Sequence, residues 1–324
     1  MSAVERLEDY GLSQKATKAS LFSKIGVVGC GKEGQNIARM AALNGLEVRF
    51  VEVSQDKIDA AIEAIGKQLD MRIESWGLTD SEKRTVMGRI SGSTTYDVLK
   101  DCDFVIEAVL REQLSSHESI VLRKTIFEEI ESIVREDCII ATNATTVIVS
   151  ELSSNLKIKE RCVSLHFFVN SPDARIVEVV KGLWTSDVVY DKVCRFMAML
   201  HREVIPVHES VGLVGVRVMV TMINEACDIL MEGVASLEDI DKTMSIGYGM
   251  RHGVFQLADV VGLDKIERWG ENLFSEFGKA AHKPSPLIKR LVRAKQFGVS
   301  TGCGFFTYDE NGRITGVSLK RIDQ

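Results

Sequence analysis

The sequence has no block of basic residues. Lysine and arginine number 40 against 46 acids, a formal net charge of −6 at pH 7. That balance argues against nucleic acid or an anionic membrane as the main partner, although a local basic patch can still hold an anionic ligand. No apolar run is long enough to span a bilayer: the longest, 211–223, contains Arg217 and leads into Asn224-Glu225. Residues 1–23 are polar and charged, lack the apolar core of a signal peptide, and read as an extension ahead of the first strand. The seven cysteines form no CxxC pair and no disulfide framework. Scattered and odd in number, they read as reduced thiols of a cytoplasmic protein, each a small buried hydrophobe. No metal site is expected. Internal repeats and low-complexity segments are absent as well.

What is present is concentrated between Lys24 and Ser54. A short apolar run, Ile25 to Val28, precedes a turn with glycines at 29, 31 and 34. Apolar residues at helical spacing follow (Ile37, Met40, Ala41, Leu43), and Asn44-Gly45 stops them. A second apolar run, Val48 to Val53, carries Glu52 near its end. Strand, glycine turn, helix, strand and terminal acid together predict a dinucleotide site. Gly29 permits the tight turn, Gly31 lets a pyrophosphate approach the backbone, and Gly34 lets the helix pack closely. Lys32 and Glu33, between the last two glycines, belong to the same cofactor segment. The helix N-terminus offers free N–H groups to phosphate. Glu52 is placed to accept hydrogen bonds from a ribose and to repel a 2′-phosphate, which favours NAD over NADP. A structural glycine turn in another α/β protein is the competing explanation.

Further along, the helical periodicity of residues 55–90, broken at Gly77-Leu78-Thr79, predicts a helical hairpin. Its Lys and Arg residues read as a solvated face, with a basic surface for a phosphate-bearing ligand as the alternative. Asp103 to Val109 reads as a buried strand containing Glu107. A helix from about Ser116 to Arg135 leads to the strand Cys138 to Ala141. That strand ends in the polar segment Thr142 to Thr146, the position where open α/β sheets place ligands. More strands are expected at Val163 to Phe168, Ile176 to Val180 and Glu203 to Val207. From Ser210 onward the periodicity is helical. The organisation predicted is therefore an extension (1–23), an α/β, Rossmann-like doubly wound domain (24–208) and an all-helical C-terminal domain (209–324).

A nicotinamide-dependent reaction needs a group to exchange the proton while hydride moves. Histidine suits that task, with an unperturbed pKa of about 6.5. Of the six histidines, His166 is the best placed, at the end of an apolar strand beyond the polar switch segment. Glu178, on a neighbouring apolar segment, would orient the ring and stabilise its cationic form. A histidine on an apolar strand also serves as a core residue bonded to backbone, and a lone acid as a structural salt bridge.

These residues also carry a family resemblance. The stretches V-G-C-G-K-E-G, C-D-F-V-I-E-A-V, A-T-N-A-T-T, S-L-H-F-F, I-V-E-V-V-K-G, L-A-D-V-V-G-L-D and K-P-S-P-L-I-K-R-L-V resemble the L-3-hydroxyacyl-CoA dehydrogenases, including the 3-hydroxybutyryl-CoA dehydrogenases. The likeness extends from Lys24 to Tyr308. It implies an NAD domain followed by a helical dimerisation domain, with the active site in the cleft between them. It also implies an acyl-CoA substrate, a homodimer and a place in fatty acid metabolism, in β-oxidation or butyrate metabolism. The family's catalytic His falls on His166, its partner Glu on Glu178 and its active-site Ser on Thr145, which keeps a hydroxyl. The ribose-binding acid falls on Glu52, and Glu107 falls near the nicotinamide end. Asn143 joins them as a cofactor contact, and Lys67 is a candidate contact for a CoA phosphate.

The chain also departs from the pattern. The family's active-site Asn is replaced by Val216. The Asn of its H-F-F-N-P run is displaced to Asn170, and the prolines of its G-x-P-M-G-P-F run give way to Arg251 and Val254, with His252 between them. Ser300 replaces a Lys and Phe306 a Tyr in its C-terminal motif. A lost oxyanion donor typically costs about 10²–10³ in rate, so Val216 argues for a slower enzyme or a differently held substrate. Asn170, Asn143 and His252 are candidate replacement donors. The expected function is an NAD-dependent oxidoreductase interconverting L-3-hydroxyacyl-CoA and 3-ketoacyl-CoA. The alternatives are a dehydrogenase of an atypical 3-hydroxy acid or acyl-CoA, and a catalytically weakened NAD-binding protein.

Overall fold

The structure, a computed structural model, describes residues 21–74, 77–110, 116–168 and 175–319. The first half alternates strands and helices: β1 (Lys24–Val28), α1 (Lys32–Leu43), β2 (Glu47–Val51), α2 (Gln55–Glu74), α3 (Asp80–Met87), β3 (Ile90–Ser93), β4 (Phe104–Glu107), α4 (Ser116–Ile133), β5 (Ile139–Thr142), α5 (Val149–Leu152), β6 (Cys162–Phe167), β7 (Ile176–Lys181), α6 (Asp187–Met199) and β8 (Glu203–His208). The strands form one eight-stranded sheet in the order β3-β2-β1-β4-β5-β6-β7-β8. All neighbours are parallel except β6 and β7. The chain moves outward from β1 to β3 and then returns to pair β4 with the other side of β1. This reversal opens a crevice at the carboxyl ends of β1 and β4, the place where doubly wound sheets take ligands.

The central strands are apolar throughout because both sheet faces are covered. One face packs Val27, Ile37, Phe50, Phe104 and Phe196 into a single core, and the other packs Val28, Val105, Phe127 and Ile140. The outermost strand, β8, tolerates Pro206 because an edge strand has no outer partner for that missing N–H. The helical hairpin predicted for 55–90 ends at Met87. Its break is a capping box: Thr79 Oγ1 accepts from Glu82 N at 3.3 Å while Glu82 accepts from Thr79 N at 2.8 Å. Ile90 begins a strand instead, since pairing with Val48 gives it a sheet edge to join.

The second half is built of α7 (Gly215–Met231), α8 (Leu237–Lys242), α9 (Val254–Val261), α10 (Leu263–Phe277) and α11 (Pro286–Arg293) around a separate core containing Ile223, Phe255, Leu263 and Ile288. It is not all-helical. Strands β9 (Phe306–Tyr308) and β10 (Ile314–Val317) form an antiparallel hairpin. Asp259 of α9 secures it, accepting hydrogen bonds from Phe305 N, Phe306 N and Tyr308 OH, each at 2.9 Å. Burial pushes the Asp259 carboxyl up to about 6 despite these donors. Asp259→Ala, which leaves two buried N–H groups unpaired, is expected to cost about 2–3 kcal/mol of stability in denaturant unfolding. A raised folded-state pKa means that this residue's contribution is complete below about pH 3.8 and is lost as pH rises through about 6. The gap between wild type and variant should accordingly be wider at pH 5 than at pH 8.

Candidate active site and cofactor cleft

The crevice holds a cavity of about 690 Å³ lined by Gly29, Gly31, Lys32, Glu33, Glu52 and Lys57 on the sheet side and by Lys265 and Ser300 on the helical side. Gly29 has a φ of +86°, a left-handed conformation that favours glycine. A Cβ on Gly34 would lie 2.1 Å from the carbonyl oxygen of Gly29, so the third glycine lets the turn close on itself. A Cβ on Gly31, by contrast, would meet no protein atom within 4 Å. The protein leaves that space open in front of the first turn of α1, where no side chain caps the N-terminus. An open backbone, uncapped N–H groups and a helix dipole together form a cradle for a pyrophosphate. Glu52 is fixed at the end of β2: its Oε1 accepts from Cys30 N at 2.7 Å and its Oε2 from Val53 N at 3.1 Å. Its remaining lone pairs border the cavity, as a ribose diol requires. Burial, with Glu52 beside it, pushes the Cys30 thiol up to about 12, so it stays protonated there.

A second cavity, about 370 Å³, adjoins the first and contains His166, Thr145, Asn143, Phe168, Val216 and His252 in its wall. His166 on β6 and Glu178 on β7 face each other as cross-strand partners in the antiparallel register. That register brings His166 Nδ1 to 2.6 Å from Glu178 Oε2, with both side chains buried. Glu178 Oε1 accepts from the backbone N–H groups of Val214 and Gly215, at 3.2 and 3.3 Å, where α7 begins. The positive end of α7 favours the carboxylate. With Nδ1–H donating to Glu178, the other ring nitrogen, Nε2, is the lone-pair-bearing one.

Asn143 ties the two cavities together. Its Nδ2 donates to Glu33 at 2.5 Å, and its Oδ1 accepts from Phe167 N at 3.2 Å, next to the catalytic candidate. Glu107 lies elsewhere than the resemblance implies. Its carboxylate is fully buried and is engaged by Arg123, by Thr142 Oγ1 at 2.7 Å and by Val109 N at 2.7 Å, and it lines neither cavity. It joins the carboxyl ends of β4 and β5 through Thr142 and pairs with Arg123, which itself borders the reaction cavity. Lys67 is exposed on α2, paired with Glu63 at 2.6 Å, and is likewise absent from both walls. Asn170 lies outside the described residues.

A family model for the 3-hydroxyacyl-CoA dehydrogenase NAD binding domain matches residues 24–210, and one for the C-terminal domain of the same enzymes matches 212–308. The chain belongs to the 3-hydroxyacyl-CoA dehydrogenase family. It is an oxidoreductase, and its cofactor is NAD. It is 32% identical over 287 residues to a 3-hydroxybutyryl-CoA dehydrogenase of Clostridioides difficile, covering 89% of this chain and 100% of that one. Among solved structures, M. tuberculosis FadB2 matches with a TM-score of 0.85 at 30% identity, covering 89% of this chain and 99% of the other. The (S)-3-hydroxybutyryl-CoA dehydrogenase PaaH1 from Ralstonia eutropha matches at 0.82 and 34%, covering 89% and 100%.

In this 3-hydroxyacyl-CoA dehydrogenase the reaction cavity also holds residues that sequence reading did not single out. Arg123, Lys265, Arg268, Trp269 and Asn272 all line it. Nothing in the local sequence marks Arg123 or Arg268. Only the fold turns them inward. Asn272 Nδ2 donates to Thr146 Oγ1 at 2.8 Å, which joins α10 to the polar segment after β5.

Proposed function

We propose that this protein interconverts short-chain L-3-hydroxyacyl-CoA and 3-ketoacyl-CoA, with His166 as the general acid/base and Glu178 as its partner. The observation that carries this reading is the buried His166–Glu178 pair opening on the cavity beside the dinucleotide cleft. NAD bound in the cleft supplies the acceptor for the hydride that leaves C3. The chain's own residues handle the proton. His166 Nε2 takes it from the C3 hydroxyl, and the imidazolium so formed lies against the Glu178 carboxylate. The Val214 and Gly215 N–H groups keep that carboxylate in place while the ring charges. Thr145 hydrogen-bonds the reacting oxygen. Gly31, the first turn of α1 and Glu52 hold the pyrophosphate and adenosine ribose of the cofactor. The modest volume of the reaction cavity favours a short acyl chain.

The test is NADH oxidation with acetoacetyl-CoA at neutral pH, alongside an NADH-binding titration of the same preparation. Turnover supports the reading. Tight NADH binding without turnover of any acyl-CoA would overturn it in favour of a non-catalytic NAD-binding role. Val216, buried in the first turn of α7, faces the reaction cavity with no polar atom to offer. Val216→Asn is expected to raise kcat by roughly 10²-fold by restoring a donor. The absence of a gain on any acyl-CoA would mean that the reacting oxygen is held another way.

The same reading includes a homodimer in the cytoplasm, acting in fatty acid or butyrate metabolism. Support for the dimer comes from exposed apolar residues of the helical half, Val218, Ile246 and Tyr248, each more than half exposed. No helix among the described residues is long and apolar enough to cross a membrane. The metabolic placement follows the names of the similar enzymes.

A further inference from the structure

The reaction cavity is cationic in a chain that is acidic overall. Its wall contains Arg123, Arg251, His252, Lys265 and Arg268, with Glu33 as the sole carboxylate among the described lining residues. Glu33 already accepts a hydrogen bond from Asn143, and Arg123 is committed to Glu107. His252 has an acid in its neighbourhood, Asp241, but that carboxylate caps α9 by accepting from Phe255 N at 2.7 Å and Gln256 N at 2.9 Å. Arg251 and Arg268 form no ion pair or hydrogen bond within the described residues. Two guanidinium groups therefore border the cavity with no ion-pair partner among the described residues. Such groups are built for bidentate recognition of a carboxylate or phosphate.

NAD and an acyl-CoA bring anions of their own to the cleft. The cofactor's pyrophosphate belongs at the N-terminus of α1, and Lys265 lines both cavities. The phosphates of CoA are separated from the thioester by the whole pantetheine arm. What remains beside His166 is the acyl chain. The cavity wall is apolar at Val216, Met219, Leu257 and Trp269 and carries the guanidinium groups of Arg251 and Arg268. We infer that the acyl chain of the preferred substrate ends in a carboxylate, seated by Arg251 and Arg268. The inference rests on the dehydrogenase reading above and names its substrate class: an L-3-hydroxyacyl-CoA whose acyl group is a dicarboxylic half-thioester.

The experiment compares, on the full-length protein with NADH, two six-carbon 3-ketoacyl-CoA substrates that differ only at the chain end, one carboxylate and one methyl. The expected ratio of kcat/KM is about 10- to 100-fold in favour of the carboxylate, the range of a charge-assisted hydrogen bond. Added salt should lower it, because Arg251 is exposed and Arg268 half-buried. Arg268→Gln and Arg251→Gln should each move the ratio toward unity, while Arg251→Lys should retain part of it. Equal or better use of the methyl-ended substrate would overturn the inference and leave the dehydrogenase reading standing. Equal losses on both substrates in the Gln variants would also overturn it, since the arginines would then be acting on CoA itself. Turnover of the corresponding free 3-keto acid as readily as of its CoA ester would assign the arginines to a C1 carboxylate instead. Turnover of no substrate would bring down both readings together.

Discussion

His166→Gln is expected to lower kcat for acetoacetyl-CoA reduction by about 10²–10⁴ while NADH still binds. Glutamine keeps a polar side chain of comparable length on β6, but its amide cannot take up or deliver a proton near neutral pH. The loss should therefore fall on kcat rather than on cofactor affinity. A purely structural histidine would behave differently: its replacement would lower the melting temperature and scatter its effects over every binding step. Measuring kcat, KM and NADH affinity on one preparation, with the melting temperature beside them, separates the two. Full turnover in His166→Gln would end its assignment as acid/base. Glu178→Gln provides a second reading of the same dyad, because it keeps the shape and removes the charge opposite the imidazolium.

The second large effect is expected at the glycine turn, where two neighbouring glycines should behave differently. Gly34→Ala places a methyl group 2.1 Å from the carbonyl oxygen of Gly29, a backbone atom that cannot rotate away. The turn must open, at a cost of about 3 kcal/mol or more, and NADH affinity should fall with the melting temperature. Gly31→Ala adds its methyl where no protein atom lies within 4 Å. Folding should tolerate it, whereas NADH affinity should fall, since the methyl occupies the approach to the helix N-terminus. Calorimetry and a fluorescence titration on the two variants decide the matter. Unchanged NADH binding in Gly31→Ala would mean that the pyrophosphate lies elsewhere in the cleft.

The strand–turn–helix–strand unit was legible because each piece leaves its own mark. Short apolar runs, a glycine spacing and a terminal acid are local features that no distant contact needs to complete. His166 and Glu178 were legible as residue types on apolar strands, but their meeting depends on an antiparallel register between β6 and β7 that no short pattern encodes. Ile90 was placed at the end of the helical hairpin and the strand Ile90–Ser93 was not expected, because Ile90 is its only large apolar residue and pairing with Val48 decides the matter. The tail hairpin was hidden for a similar reason: its strands are short, and the buried carboxylate that secures them lies about 50 residues upstream. Glu107 was misplaced because an acid at the end of a buried strand looks the same whether it faces a ligand or pairs with an arginine beside the cavity. Arg123 lies on the helix Ser116–Ile133, where no local motif sets it apart.

The contact between Glu178 and the start of α7 has a consequence for how this chain can vary. Glu178 Oε1 is held by main-chain N–H groups of Val214 and Gly215, which a side-chain substitution there does not remove. The next residue is Val216. The alignment of the proposed proton relay is thus insulated from the identity of the side chain at position 216, and the two can drift separately. A change that shortens or tilts α7 would disturb the relay from outside the cavity, whereas a polar-to-apolar exchange within it leaves the relay in register. The helical half therefore acts as the gauge against which the His166–Glu178 strand pair is set, and variation at the cavity-lining residues can proceed without moving it.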